Sequence, residues 1–93
     1  MMGSMNAMGH VLIAASSGVD ALWDLLNEMA ERTGDQGVGV HGFDPRARAP
    51  RWCVHPNSDP GIEFRDDSLH EALLRAAIWK AGQMDETDMW RTD

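Results

Sequence analysis

The sequence predicts a small single-domain α+β fold in the order helix, three-stranded antiparallel sheet, helix. Three observations predict it: two segments with apolar residues at helical spacing, three short alternating runs between them, and Gly, Pro, Asn and Asp clusters where those runs must turn. Ninety-three residues suit one core. A chain of this size buries only roughly 60 to 65% of its unfolded surface, so few apolar side chains remain to line a substrate pocket.

The first helix is expected in "SSGVDALWDLLNEMAERTG". Ser17, three residues before Asp20, offers a carboxylate version of the capping box, and Gly34 a left-handed C-terminal cap. Val19, Leu22, Trp23, Leu26, Met29 and Ala30 form one apolar stripe. Asp20, Asp24, Glu28 and Glu31, with Asn27, occupy the opposite face, where no lysine or arginine offsets them. The second helix is expected in "DDSLHEALLRAAIWKAGQ", where Ser68 and Glu71 make a capping box and Asp66 and Asp67 sit near the positive end of the helix dipole. Leu69, Leu73, Ala76 and Ala77 form its core stripe, widened by Leu74 and Ile78.

Between the helices, "GVGVHGF", "RWCVH" and "GIEFR" read as strands, with Val38, Val40, Trp52, Val54, Ile62 and Phe64 on one sheet face for both helices to cover. "DPRARAP" connects the first two and "PNSDPG" turns the last two into a hairpin. "HVLIAA", at 10 to 15, fits either a strand or an N-terminal extension of the first helix. The opening "MMGSMNAMGH" reads as a cloning scar or ambiguous start, so residues 1–9 are expected to be disordered, 10–83 to form the domain, and 84–93 to be an acidic mobile tail.

A net charge of −7 argues against direct nucleic-acid binding, which needs clustered Lys and Arg, and suits a protein that binds basic surfaces. Seven of the eight basic residues are arginine, leaving Lys80 as the sole lysine. One cysteine forms no internal disulfide, and no apolar run approaches a membrane span. The expectation is a cytoplasmic protein, in the host cell if phage-encoded, without cofactor or membrane partner.

Period-two alternation turns Cys53 and His55 away from the core, with His41, Glu63 and Arg65 at the same parity. Cys53, His55 and His41 are therefore the candidate metal ligands, although no Cys-x-x-Cys or His-x-x-x-His spacing supports zinc. Cys53 beside a histidine is also the minimum for a thiolate nucleophile, but no segment supplies an orienting group or an oxyanion site. "GVGVHG" matches G-x-G-x-x-G by chance, because prolines rather than a helix follow it. Arg46, Arg48 and Arg51 make a basic loop that is either an anion hook or a solvated segment balanced by Asp44.

The residues assigned to partner binding are Asp20, Asp24, Glu28 and Glu31, together with Trp79 and Trp90. Asp20 with Asp24 and Asp24 with Glu28 are like-charge pairs at i,i+4, each costing a few tenths of a kcal/mol. Trp79 reads as either a core flank or an interface anchor.

"DALWDLLNEM" and "HEALLRAAIWKA" resemble the opening and closing helices of the small phage ABA sandwich-domain family of tailed phages and prophages. Asp20, Ala21 and Trp23, then Glu71, Ala72, Arg75, Ala76 and Ala77, carry the match. Leu74 and His70 depart from it, standing where the family often has cysteine and proline. The resemblance implies a phage or prophage origin and a three-layer sandwich, whereas the strand pattern favours helices on one face; it carries no activity.

The resulting expectation is a non-enzymatic phage accessory protein that binds a host protein, such as a basic nuclease or nucleic-acid-binding complex, and inhibits it in an anti-CRISPR or anti-restriction role. A homodimeric assembly module, through the outer sheet face or Trp79, and a small zinc-binding protein are the alternatives.

Overall fold

The computed structural model describes residues 6–44, 46, 50–57, 59 and 61–84. It is an α+β domain of three helices and a three-stranded antiparallel sheet: α1 Ala7–Ser17, α2 Val19–Arg32, β1 Val38–Gly42, β2 Trp52–Pro56, β3 Phe64–Asp66 and α3 Leu69–Gln83, with strand order β1-β2-β3. The run at 10 to 15 is a helix of its own. It begins at Ala7, which is buried, so residues 7–9 belong to the fold and not to a disordered lead. Asn6 caps it, accepting the Gly9 N–H at 2.8 Å.

Gly18 separates α1 from α2. Its φ of +123° is a conformation that L side chains rarely adopt, and this is what lets one residue end one helix and begin the next. Its N–H reaches Ala14 O, and its carbonyl accepts the Leu22 N–H. Ser17 is therefore not the cap of α2; its hydroxyl donates back to Ile13 O inside α1. At the far end of α2, Gly34 has φ +76°, the left-handed geometry expected there. The Ser68 cap of α3 also forms, with its hydroxyl accepting from Glu71 N.

The register pairs Val40 with Val54 and Val54 with Phe64, a cross-strand row facing the helices. On the reverse face, His41 pairs with Cys53 and Cys53 with Arg65. α3 lies on β2 and β3, α2 packs along α3 and reaches β1, and α1 packs against both helices. α3, with α2 at β1, thus lies over the sheet, and α1 packs on these two helices. Val11, Leu22, Leu26, Met29, Val54 and Leu73 are the large fully buried side chains, each contributing about 1.5–3 kcal/mol of apolar burial.

Two features tie α3 down by polar contacts. His70 Nε2 donates to Ala15 O at 2.8 Å, joining α3 to the end of α1. In its last turn, Lys80 forms a buried ion pair with Asp35, whose carboxylate also accepts from Thr33 Oγ1. Met84, counted with the tail in the sequence reading, packs against the core. The remaining tail, 85–93, lies outside the described residues, and with it Trp90.

Candidate functional site

Period two brings His41, Phe43, Cys53, His55, Glu63 and Arg65 around one open depression of about 280 Å³ on the uncovered sheet face. Five of these residues were grouped from sequence parity alone. Inside the depression they pair among themselves. His41 Nε2 and His55 Nε2 lie 2.9 Å apart, so one imidazole donates to the other. The ring centroids, at 4.9 Å, are separated by much more than the two nitrogens, so the rings meet edge to edge through nitrogen. Gly39, across from His55 in the register, makes this possible: a Cβ there would stand 2.6 Å from His55 Nε2.

Cys53 takes a different partner. Its thiol donates to Glu63 Oε2 at 3.2 Å, and Arg65 Nε donates to the same oxygen at 2.9 Å. Burial, followed by the bond to Glu63, pushes the thiol pKa above its ordinary value, which is the reverse of what a nucleophile or thiolate ligand needs. The Cys53 and Arg65 bonds in turn hold the Glu63 carboxyl below its usual range. Cys53, His41 and His55 therefore share a face without converging on a point. Among the described residues, no group of three or more His, Cys, Asp or Glu side chains is placed to hold a metal ion.

The outer face of α2 is organised in the opposite way. Asp20, Asp24, Glu28 and Glu31 are all exposed. Glu28 is relieved by Arg32 at 3.3 Å, one turn along, a cation that the reading of this face had overlooked. Among the described residues, no cation lies within ion-pair distance of Asp20, Asp24 or Glu31.

Trp23, assigned from its spacing to the buried stripe, is instead 37% exposed. It stands at the edge of the acidic face and, with Val19, Asp20, Val40, Leu69 and Leu73, lines a notch of about 220 Å³ where α2, β1 and the start of α3 meet. Its position five residues before Glu28 gave no signal of this, because the stripe is wide enough for a tryptophan at its margin to face either way.

Trp79 is half-buried and packs on Phe64, with ring centroids 5.9 Å apart, on the flank of the core. In the arginine loop, the Arg46 backbone N–H and guanidinium bond to Asp44 and hold its carboxyl below the usual range. Arg51 lies over the Trp52 ring at 5.6 Å, and Arg48 is outside the described residues.

The chain matches no family model, and no curated protein or solved structure is significantly similar to it. The likeness to the phage sandwich-domain family thus rests on the two helical motifs alone. No described helix is long and apolar enough to cross a membrane.

Proposed function

We propose that this chain is a non-catalytic accessory protein, of phage or prophage type, that docks the acidic face of α2 on a basic host protein and blocks it. The partner class is a nuclease or nucleic-acid-binding complex, whose basic groove would accept carboxylates in place of phosphates. The observation carrying this reading is the exposure of Asp20, Asp24 and Glu31 on one helical face with no cation in ion-pair contact with them among the described residues. Asp20, Asp24 and Glu28 follow one another at a rise of about 6 Å along the axis, a regular row of negative charge. The polar groups of the open sheet face, by contrast, are already committed to one another.

The test is capture from a bacterial lysate at low and high salt, in parallel with a variant carrying Asp20→Asn, Asp24→Asn and Glu31→Gln. The expected result is a nucleic-acid-binding protein retained at low salt, released at high salt and lost with the neutralised bait. Retention unaffected by the substitutions overturns the reading.

A second reading, self-association, is favoured by α1. This helix carries no charged residue, yet Leu12 is 65% and Ile13 54% exposed. On an acidic chain such a helix offers a contact between copies that buries no like charges. The dimer contact moves accordingly from the outer sheet face and Trp79 to α1. Sedimentation velocity of the wild type and of Leu12→Glu tests it: a concentration-dependent dimer that the substitution abolishes supports it, and a monomer throughout removes it.

A further inference from the structure

The notch beside Trp23 opens at the edge of the core, and its chemistry differs from that of the acidic face it borders. Its walls are Val19, Trp23, Val40, Leu69 and Leu73, and among the described residues its only charged lining group is the Asp20 carboxylate. Its volume of about 220 Å³ equals roughly seven waters of bulk liquid. That is below the roughly 300 Å³ at which small-molecule pockets begin, and it suits a single long side chain.

We infer that the notch is the receptor for one arginine side chain of the basic partner. This rests on the acidic-face reading above and names the residue that would anchor it. An apolar cleft with a single carboxylate at its rim calls for a group that is apolar along its stem and cationic at its tip. Lysine and arginine both answer that description, and the tryptophan decides between them. A guanidinium is planar and weakly hydrated, so it stacks on the indole while donating in parallel to both oxygens of Asp20. An ammonium is compact and strongly hydrated, and it gains less from entering a cleft walled by valine and leucine. Asp24 and Glu31 continue the negative surface from the rim and draw in the cations flanking the anchor. The site is a pocket for one side chain at the end of a charged track, the arrangement in which a few buried contacts supply most of an interface's affinity.

The experiment titrates isotope-labelled protein with hexa-arginine and with hexa-lysine peptides at low salt, following the Trp23 indole N–H and the methyl signals of Leu69 and Leu73. Hexa-arginine is expected to bind about fivefold more tightly, the scale of one exposed cation–π contact, and to shift those three residues. Hexa-lysine is expected to shift the amides of the acidic face and leave the notch signals in place. Trp23→Ala should remove the arginine preference while leaving salt-sensitive binding of both peptides. Asp20→Asn, which keeps the shape of the notch, should reduce that preference by itself. Asp24→Asn with Glu31→Gln should weaken both peptides alike. Equal affinity for the two peptides, or an arginine preference that survives Trp23→Ala, overturns the notch. Failure of both peptides to bind, or binding indifferent to Asp24 and Glu31, overturns the acidic-face reading and the notch together.

Discussion

The open face of the sheet and the outer face of α2 are both polar and both reach solvent, yet their side chains are disposed in opposite ways. On the sheet, each charged or titratable group meets another: His41 meets His55, and Glu63 meets both Cys53 and Arg65. On α2, only Glu28 is in an ion pair, while Asp20, Asp24 and Glu31 have no cation within ion-pair distance among the described residues. The paired surface balances its charges within the chain. The unpaired one keeps its charge for something else. The contrast directs attention from the cysteine and histidines, whose chemistry is conspicuous in the sequence, to a helix that looks ordinary there.

The largest effect is expected where the pair is buried. Lys80→Met leaves the Asp35 carboxylate without its cation while keeping the apolar stem, and should cost about 3 kcal/mol, measured by denaturant unfolding. This is the low end of the expected range because Asp35 keeps a quarter of its side-chain surface in water. Adding Asp35→Leu should recover most of the loss, since no lone charge then remains. Next in size is Gly39→Ala, whose methyl would displace the His55 ring and break the histidine pair. The ring can swing outward, so the expected cost is about 1 kcal/mol, with separation of the two imidazole signals in nuclear magnetic resonance.

A smaller effect is expected at Glu63, and it has a defined pH dependence. The carboxyl is depressed in the folded chain, so its contribution is present above the ordinary value of 4.5 and is lost as pH falls through the folded pKa. The Cys53 thiol is raised, so its contribution is complete below the ordinary value of 9.0 and is lost as pH rises above it. Glu63→Gln should therefore flatten the acid limb of the stability profile. It should also lower the pH at which iodoacetamide alkylates Cys53, read by mass spectrometry. The smallest effect belongs to the unpaired face: neutralising Asp20, Asp24 and Glu31 should leave stability unchanged or raise it by a few tenths of a kcal/mol in thermal unfolding. A loss of more than about 1 kcal/mol there would erase the contrast between the two surfaces, because it would mean that these carboxylates serve the fold.

Much of this arrangement was legible from local pattern. Alternation alone grouped His41, Cys53, His55, Glu63 and Arg65 on one face, because a strand permits no other parity. The Ser68 cap and the left-handed Gly34 followed from side-chain chemistry that acts within one turn. What escaped were features without a local signature. α1 has no polar face to give it a period, and its Asn6 cap sits in a methionine-rich opening that reads as a cloning scar or ambiguous start. Its separation from α2 depends on a single positive φ at Gly18. Trp23 lies at the margin of a stripe, where spacing does not decide exposure. The Lys80–Asp35 pair joins residues 45 apart, a distance at which no periodicity speaks. One clue was present: Lys80 continues the Leu69, Leu73, Ala76 series, and a lone lysine on a core stripe requires a buried carboxylate.

The ion pair also bears on the lifetime of the folded chain. Asp35 follows α2 and Lys80 lies in the last turn of α3, so their ion pair closes a stretch of chain that contains all three strands. Closing so long a stretch is costly, and the expectation is that the pair forms after the rate-limiting step of folding, so that Lys80→Met acts on the unfolding arm of a denaturant chevron and leaves the folding arm in place. At about 3 kcal/mol, that is roughly a hundredfold shorter residence in the native state, with the speed of folding scarcely changed. On that expectation the single lysine sets how long the protein survives between unfolding events, and through that how often a protease finds it open.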